Sequence, residues 1–278
     1  MAITINESAI EHEPLSAGVA RKRLLTHARV AGTRIGLDRL DLAARAALEL
    51  NVSLDDLAWF QMLEGAAVLR HAGGDAELGR SHIVCLPPGF SGTLCATSAA
   101  ALLYGELPQA RRFDAAFDPA ALRLRVVDWT REPVLDSEHD ARKRIYVLTP
   151  KLFGTRAIKG EIIIYPPGTQ ASNHHHEGAE HFMYVLQGRG TAYANESPIP
   201  VRKGDLIYYG ERERHYLRSE GEEDMVFVEF FVPGEYRTVW VEGAPVCTWT
   251  PTGRSLGGEK PVREIEGHRS GIATPVDV

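Results

Sequence analysis

The stretch that decides the fold is GTQASNHHHEGAEHFMYVLQG, residues 168–188. Its residues alternate along two predicted β-strands. Because successive side chains of a strand point to opposite faces, His174 and His176 share one face. His181 follows in the second strand. Neutral imidazole is the commonest metal ligand near pH 7, and imidazoles that converge from neighbouring strands suit iron, manganese, nickel, copper or zinc. The stretch therefore predicts a metal site within β-structure.

This stretch resembles the first motif of the cupin superfamily, which runs G-x5-H-x-H-x3,4-E-x6-G. Gly168, His174 and His176 stand at the offsets that the motif requires. In the family, six residues separate the acid from the closing glycine, and counting back in this way from Gly188 arrives at His181. The resemblance therefore implies that histidine replaces the usual glutamate ligand.

Glu180 is the competing third ligand, because the family tolerates either spacer before its acid. If His181 binds the metal instead, Glu180 faces the other way and is a surface residue or a group that supports the ligands. A histidine-rich run can also be a solvated loop that binds metal adventitiously. That interpretation leaves the spacing to Gly188 and to His215 unexplained.

Residues 204–215 resemble the second cupin motif, G-x5-P-x-G-x2-H, in weakened form. Gly204 opens the motif and His215 stands at its histidine position, whereas Gly210 and Arg212 replace the family's proline and glycine. Together the two motifs imply a site of four histidines, His174, His176, His181 and His215, where three histidines and a glutamate are usual.

The composition is that of an ordinary globular protein and excludes several classes. The chain has 278 residues, 44% hydrophobic and 24% charged, which allows one large domain or two of ordinary size. A net charge of −6 disfavours a nucleic-acid partner. No apolar run approaches the roughly 20 residues that cross a bilayer, and no export signal opens the chain. Three cysteines give no disulfide framework, so we expect a cytoplasmic protein without membrane contact.

A weak internal repeat organises the chain. Residues 57–65 resemble residues 180–188, and residues 83–89 resemble residues 206–212, both at an offset of 123 positions. With short strands separated by Gly and Pro, the repeat predicts an all-β fold of two cupin (jelly-roll) β-barrels in tandem. Residues 38–50 are rich in Ala and Leu, and both a helix and a strand remain open there.

The same offset predicts that only the second barrel binds metal. It maps the four histidines onto Asn51, Ser53, Ala58 and Gly92, which are not a strong ligand set. Charged, proline-bearing and glycine-rich stretches suggest the boundaries. The predicted segments are an N-terminal arm (1–20), a first barrel (21–110), a linker (111–140), a second barrel (141–240) and a C-terminal tail (241–278). The tail is expected either to lack order or to wrap over the partner barrel.

Four neutral imidazoles would leave a divalent ion with its full positive charge and, in octahedral geometry, with two open positions. Such a centre suits a small anionic, chelating substrate. The resemblance implies a mononuclear non-haem iron dioxygenase with one divalent ion per chain, Fe(II) being favoured over Mn, Ni, Cu or Zn. Because cupins commonly dimerise, it also implies a homodimer. The architecture further resembles ureidoglycine aminohydrolase, a manganese enzyme, so a non-redox hydrolase or isomerase is the alternative. A metal-containing binding protein without turnover is the third hypothesis.

Glu229 is the one candidate catalytic residue outside the ligand set. It interrupts the apolar run from Met225 to Val232 and shares parity with Phe227 and Phe231. It is therefore either an exposed outward residue or a pocket carboxylate able to act as a general base.

Overall fold

The computed structural model describes residues 2–266, in which the chain divides into two compact units. The first unit is Glu7–Asp128, and the second comprises the residues before Glu7 together with the chain from Trp129 onwards. Nearly all regular structure is β-strand, and the predicted all-β fold of two tandem jelly-roll barrels is confirmed. The helical segments among residues 2–266 are α1 (Pro150–Phe153) and three 3-10 turns, Glu7–Ala9, Ala110–Phe113 and Trp129–Arg131. None of them is long and apolar enough to cross a membrane.

The first twelve strands, in chain order, are β1 (Ile3–Asn6), β2 (Glu13–Ser16), β3 (Val19–Leu25), β4 (Gly36–Leu42), β5 (Ala47–Asn51), β6 (Leu57–Glu64), β7 (Ala67–His71), β8 (Gly74–Leu78), β9 (His82–Leu86), β10 (Ser91–Ala96), β11 (Ala100–Leu107) and β12 (Arg125–Asp128). Eleven of them, β2 to β12, build the first unit as a seven-stranded sheet, β12-β9-β6-β11-β4-β3-β2, and a four-stranded sheet, β5-β10-β7-β8. The apolar core of this unit includes Phe60, Leu69 and Leu94.

The remaining strands are β13 (Val134–Ser137), β14 (Lys143–Leu148), β15 (Lys159–Tyr165), β16 (His174–Glu177), β17 (Glu180–Gln187), β18 (Arg189–Ala194), β19 (Ser197–Arg202), β20 (Asp205–Tyr209), β21 (His215–Glu220), β22 (Met225–Val232), β23 (Arg237–Trp240) and β24 (Trp249–Pro251). With β1 they form the second unit as an eight-stranded sheet, β1-β20-β17-β22-β15-β14-β13-β24, and a five-stranded sheet, β19-β18-β21-β16-β23. Ile163, Val185 and Phe227 lie in its core.

Residues 38–50, where helix and strand both remained open, are mostly strand. Most of β4 and all but the last residue of β5 fall in this range. In β5, Leu48 and Leu50 are buried while their neighbours are exposed. This two-residue period matches the pleat of a half-buried strand. The segment forms a strand despite its Ala- and Leu-rich composition, because burial of one face outweighs helix propensity.

The repeat is visible strand by strand. β6 and β17 begin and end 123 positions apart, and so do β9 and β20. Gly65 follows β6 with φ 73°, and Gly188 follows β17 with φ 76°. An added Cβ would lie 2.1 Å from the Ala99 carbonyl oxygen at Gly65 and 2.6 Å from the Asp224 carbonyl oxygen at Gly188. Both copies therefore need glycine here, for backbone conformation and for close approach of a neighbouring chain segment.

One position in the repeat alignment needs correction. β10 and β21 begin 124 positions apart, not 123. In the second unit His174 pairs with His215, and in the first unit Asn51 pairs with Ser91. The counterpart of His215 is therefore Ser91 and not Gly92, because the loop before β21 is one residue longer than the loop before β10.

The predicted arm and linker each contribute strands to both units, and the described part of the tail belongs to the second unit. In the predicted arm, β1 pairs with β20 of the second unit, whereas β2 pairs with β3 of the first. In the predicted linker, β12 pairs with β9 and β13 pairs with β14, so the chain passes between units at Asp128 and Trp129. In the tail, β24 pairs with β13, and Ile265 is buried in the core of the second unit. The last twelve residues of the predicted tail lie outside the described residues.

Candidate metal centre

Three strands of the second unit bring the four histidines together. His174 and His176 alternate on β16, and His174 pairs directly with His215 at the start of β21. His181 is the second residue of β17, in the opposite sheet. A single site therefore draws on both sheets of this barrel.

The four rings form one cluster. Side-chain nitrogens of His174, His176 and His215 lie within 4.8 Å of one another. The ring centroid of His181 lies 4.9 Å from that of His176 and 4.5 Å from that of His215. These spacings are those of imidazoles that face a common point, and His174, His176 and His215 form the one such metal-ligand group found among residues 2–266.

The hydrogen bonds of the rings leave nitrogens available at the centre. The Nδ1–H groups of His174 and His215 donate to the carbonyl oxygens of Ser172 and Glu213, each over 2.7 Å. The Nε2 atoms of His181 and His215 are buried and have no hydrogen-bond partner in the described part of the chain. A neutral imidazole that donates from one nitrogen presents a lone pair on the other, so this donor set fits a metal ion that prefers nitrogen ligands.

Burial keeps the cluster neutral. Desolvation lowers the pKa of His174 to about 4 and that of His181 to about 3. It also lowers the pKa values of His176 and His215 well below the ordinary value, and repulsion from neighbouring histidines acts in the same direction. Near pH 7 the four rings are therefore unprotonated, which is the form that binds metal.

Glu180, the alternative third ligand, lies outside the cluster. It is buried on the opposite face of β17, and its Oε2 accepts a hydrogen bond of 2.7 Å from the Tyr208 hydroxyl. His175 is likewise apart from the cluster, with its Nε2 3.6 Å from a carboxylate oxygen of Glu177. The structure brings His181 to the other three histidines and leaves both neighbours out.

Aromatic rings hold the cluster in place. The His181 ring is stacked between those of Tyr209 and Phe231, with centroid distances of 4.9 and 5.0 Å. Tyr209 also stacks on His215 at 4.4 Å, and Tyr236 meets the edge of His176 at 4.9 Å. Because these rings are buried, they restrict rotation of the imidazoles and keep water from the inner side of the site.

Glu229 lies inside the barrel, which excludes the outward, exposed alternative. It is 6% exposed and shares the inward face of β22 with Phe227 and Phe231. It pairs across the sheet with Met183 on one side and with Glu161 on the other. Burial and the neighbouring Glu161 raise its pKa well above the ordinary value. This shift favours the protonated form of Glu229, which can act as an acid rather than as the base that its position first suggested.

Sequence analysis did not identify the charged group that lies beside Glu229 in the structure. Lys159 Nζ lies 2.9 Å from Glu161 Oε2 and donates to the Tyr236 hydroxyl over 2.6 Å, while Arg144 Nη2 lies 3.3 Å from Glu161 Oε1. Although burial alone would raise the pKa of Glu161, Arg144 and Lys159 lower it to about 2. In the sequence, the apolar runs 145–148 and 162–165 predict strands, and both runs begin just past these side chains. Extending the two-residue period backward would have placed them on the inward face.

The corresponding positions of the first unit carry no such cluster. Asn51 and Ser91 are exposed, and the Ser91 hydroxyl donates to the Asn51 side-chain oxygen over 2.9 Å. Neither residue type forms a strong site for a divalent transition metal. One metal ion per chain, in the second barrel, stays a prediction.

Several known proteins are similar to this chain in sequence. Residues 161–231 match the Cupin domain family. Polyketide synthase CurC of Streptomyces cyaneus is 32% identical over 109 residues, which cover 38% of this chain and 69% of that protein. Protein SchB of Streptomyces halstedii is 29% identical over 76 residues, covering 27% of this chain and 55% of that protein.

Solved structures of low sequence identity share the two-barrel fold. Protein Ylba from E. coli superimposes with a TM-score of 0.66 at 14% identity, over 83% of this chain and 90% of that one. A tryptophan-to-tyrosine variant of Bacillus subtilis oxalate decarboxylase superimposes with a TM-score of 0.68 at 14% identity, over 86% of this chain and 79% of that one. At this identity the likeness concerns the fold alone.

Proposed function

Because this chain belongs to the cupin superfamily, we propose that it is a metal-dependent enzyme in which His174, His176, His181 and His215 hold one divalent ion. The observation that carries the proposal is the convergence of four neutral imidazoles, three of them buried and His174 half-buried, with the Nε2 atoms of two lacking any partner among the described residues. A purely structural cluster would leave these nitrogens unsatisfied at a cost of about 1–3 kcal/mol each.

Within this class we propose a mononuclear non-haem iron dioxygenase that acts on a small, metal-chelating organic substrate. Ferrous iron, when bound, would supply a Lewis acid and a redox-active centre for reaction with dioxygen, and the electrons that reduce dioxygen would come from the substrate. The four neutral ligands contribute no negative charge, so the site favours an anionic substrate. One relative carries the name of a polyketide synthase, and polyketide chains contain β-dicarbonyl groups whose enolates chelate metal ions.

The chain's own residues would orient the substrate and control water and protons. Phe231 and Tyr209 close the inner side of the cluster, and Met183 lies directly across the sheet from Glu229. Such walls protect reactive species from hydrolysis. Burial and the adjacent Glu161 raise the pKa of Glu229, so the pair keeps its proton on Glu229, and Lys159 stabilises the charge of Glu161.

The test is an anaerobic assay of the iron-loaded protein with diketones, catechols, hydroxy acids and oxalate, followed by admission of air. We expect product only after air enters, with oxygen consumed in proportion. His176→Ala should abolish turnover, whereas His175→Ala, which removes a neighbouring imidazole outside the cluster, should leave most of it. Equal turnover with and without oxygen would overturn the dioxygenase assignment.

The buried carboxyl pair favours a second candidate, a non-redox hydrolase or isomerase of the ureidoglycine aminohydrolase kind, with manganese. Glu161 and Glu229 face each other across β15 and β22 with one proton between them, an arrangement suited to general acid–base chemistry. In that case manganese should support oxygen-independent turnover, and Glu229→Gln should abolish it. A binding protein without turnover would release no product under either condition. Dimer formation and a cytoplasmic location stay predictions.

A further inference from the structure

The second barrel contains a guanidinium whose donors are only partly used. In Arg144, Nη2 lies 3.3 Å from Glu161 and Nη1 lies 3.4 Å from the Tyr146 hydroxyl, both long for hydrogen bonds from a charged group. Its Nε is buried and has no hydrogen-bond partner among the described residues. Because an unpaired buried donor is costly, this nitrogen suggests a partner that arrives with a ligand.

A neighbouring arginine shows what a structural guanidinium looks like in this barrel. Arg142 Nε contacts both carboxylate oxygens of Asp140, at 2.9 and 2.7 Å. Its Nη1 donates to the Tyr165 hydroxyl over 3.1 Å, and its Nη2 donates to Cys247 Sγ over 3.0 Å. Every side-chain nitrogen of Arg142 therefore has a partner, and Asp140 balances its charge. By contrast, Nε of Arg144 has no partner among the described residues, and Arg144 shares its carboxylate, Glu161, with Lys159.

Arg144 lies where solvent can reach the site. Its side chain is 19% exposed, whereas Lys159 and Glu161 beside it are 3% and 0% exposed. Among the four histidines, His174 is half-buried and the other three are buried. Tyr236 lies between the two clusters, because its hydroxyl accepts a hydrogen bond of 2.6 Å from Lys159 and its ring lies 4.9 Å from that of His176. The charged group around Arg144 and the histidine cluster therefore adjoin.

The charges around Arg144 leave an excess of one cation. Arg144 and Lys159 share the single carboxylate of Glu161, whereas burial and Glu161 raise the pKa of Glu229 and so disfavour a second carboxylate charge. The Trp249 ring lies 4.4 Å from the guanidinium carbon of Arg144 and fixes its plane. A fixed, planar cation with an unused edge matches the geometry of a carboxylate.

We propose that Arg144 binds a carboxylate of the substrate through Nε and a terminal nitrogen, while the substrate's chelating group lies at the histidine cluster. The proposal rests on the proposed function and narrows its substrate to small organic acids that carry a carboxylate in addition to a chelating group. Arg144 is then a specificity-determining residue, and Glu161 and Trp249 position it.

The test compares probes that share a chelating group and differ in a carboxylate. The full-length protein is loaded with cobalt(II) under argon, because the visible spectrum of cobalt reports coordination without turnover. Dissociation constants are measured for catechol, 2,3-dihydroxybenzoate and 3,4-dihydroxybenzoate. We expect at least one carboxylated probe to bind about 10- to 100-fold more tightly than catechol, and Arg144→Gln to remove that preference while catechol affinity and cobalt content are kept.

Two control variants separate the interpretations. Arg144→Lys keeps the charge and loses the planar fork, so it should keep part of the preference. Arg156→Gln removes an equally charged but exposed side chain and should keep all of it. If the wild type binds catechol and both acids equally, or if Arg144→Gln keeps the preference, the inference is wrong. If catechol does not perturb the cobalt spectrum at all, the proposed chelating function fails instead.

Discussion

At the level of single residues, the ligand cluster shows what spacing can and cannot reveal. The count back from Gly188 predicted His181 rather than Glu180, and the two lie on opposite faces of β17. The count separates the two residues because the pleat of a strand assigns alternate residues to opposite faces, and the choice of His181 as a ligand stays a prediction. Spacing could not reveal the partners of the rings. Thr238, whose Oγ1 lies 3.1 Å from His176 Nδ1, is more than 60 positions away in sequence.

The contrast between His181 and Glu180 gives the first prediction. His181→Ala should lower metal affinity by more than the roughly 10- to 100-fold that loss of a supporting residue causes, because a ligand itself is removed. Glu180→Gln should keep the metal, since its carboxylate contacts Tyr208 and not the cluster. Metal content after dialysis against a chelator measures both. Loss of metal in Glu180→Gln with retention in His181→Ala would show that the assignment is reversed.

Thr238 gives a second prediction. Backbone carbonyls can only accept, so they fix the Nδ1–H form of His174 and His215, whereas a hydroxyl can either donate or accept. Thr238→Val should remove this support from His176 and weaken metal binding about 10- to 100-fold. Thr238→Ser should restore it, because the hydroxyl returns. Competition with a chromogenic chelator reports the affinity, and an unchanged value in Thr238→Val would contradict the role.

At the level of elements, apolar runs predicted several strands of the second unit, but not the charged inward residues of β14 and β15. β15 is buried along its whole length, with Lys159 and Glu161 at its inward positions. A strand with two inward charges does not look like a core strand by hydropathy, because buried charges are rare unless paired. Their partners come from β14 and β22, and such long-range pairing is invisible to a local pattern.

The turn after β17 yields a third prediction. Gly188→Ala should destabilise the second unit by more than the 1–2 kcal/mol or so that a left-handed backbone costs alanine, since its Cβ would also meet the Asp224 carbonyl oxygen at 2.6 Å. Gly168→Ala is the matched control, with φ 79° and no atom within 4 Å of an added Cβ. Urea unfolding compares them. Equal losses of free energy of unfolding would show that the close approach contributes nothing.

At the level of the whole molecule, the repeat and the loss of ligands in one copy were both predictable from a single offset. The change of the offset by one residue before β21 could not be predicted, because the length of a loop can vary without any change in the strands that the loop joins. Each unit has its own two sheets and its own apolar core. A metal bound at the histidine cluster would therefore stabilise one unit directly.

Calorimetry tests this fourth prediction. Adding zinc at about 100 times its dissociation constant should stabilise the second unit by about 2.7 kcal/mol and shift one unfolding transition upward, leaving the other in place. His176→Ala should abolish the shift. A single transition that moves as a whole would indicate that the units unfold together, and two equal shifts would indicate a second metal site.

The pairing of β1 with β20 has a consequence for biosynthesis. Ile3 lies opposite Tyr208, so during synthesis β1 must wait for some 200 further residues before its partner strand leaves the ribosome. Until then β1 has no sheet to join, and afterwards it covers an edge of β20 that would otherwise be open to pairing with another chain. The first unit can fold during this delay, but the eight-stranded sheet of the second unit can be completed only after the delay has ended. A bulky fusion or a deletion at residues 3–6 would thus affect the barrel farthest from it in sequence.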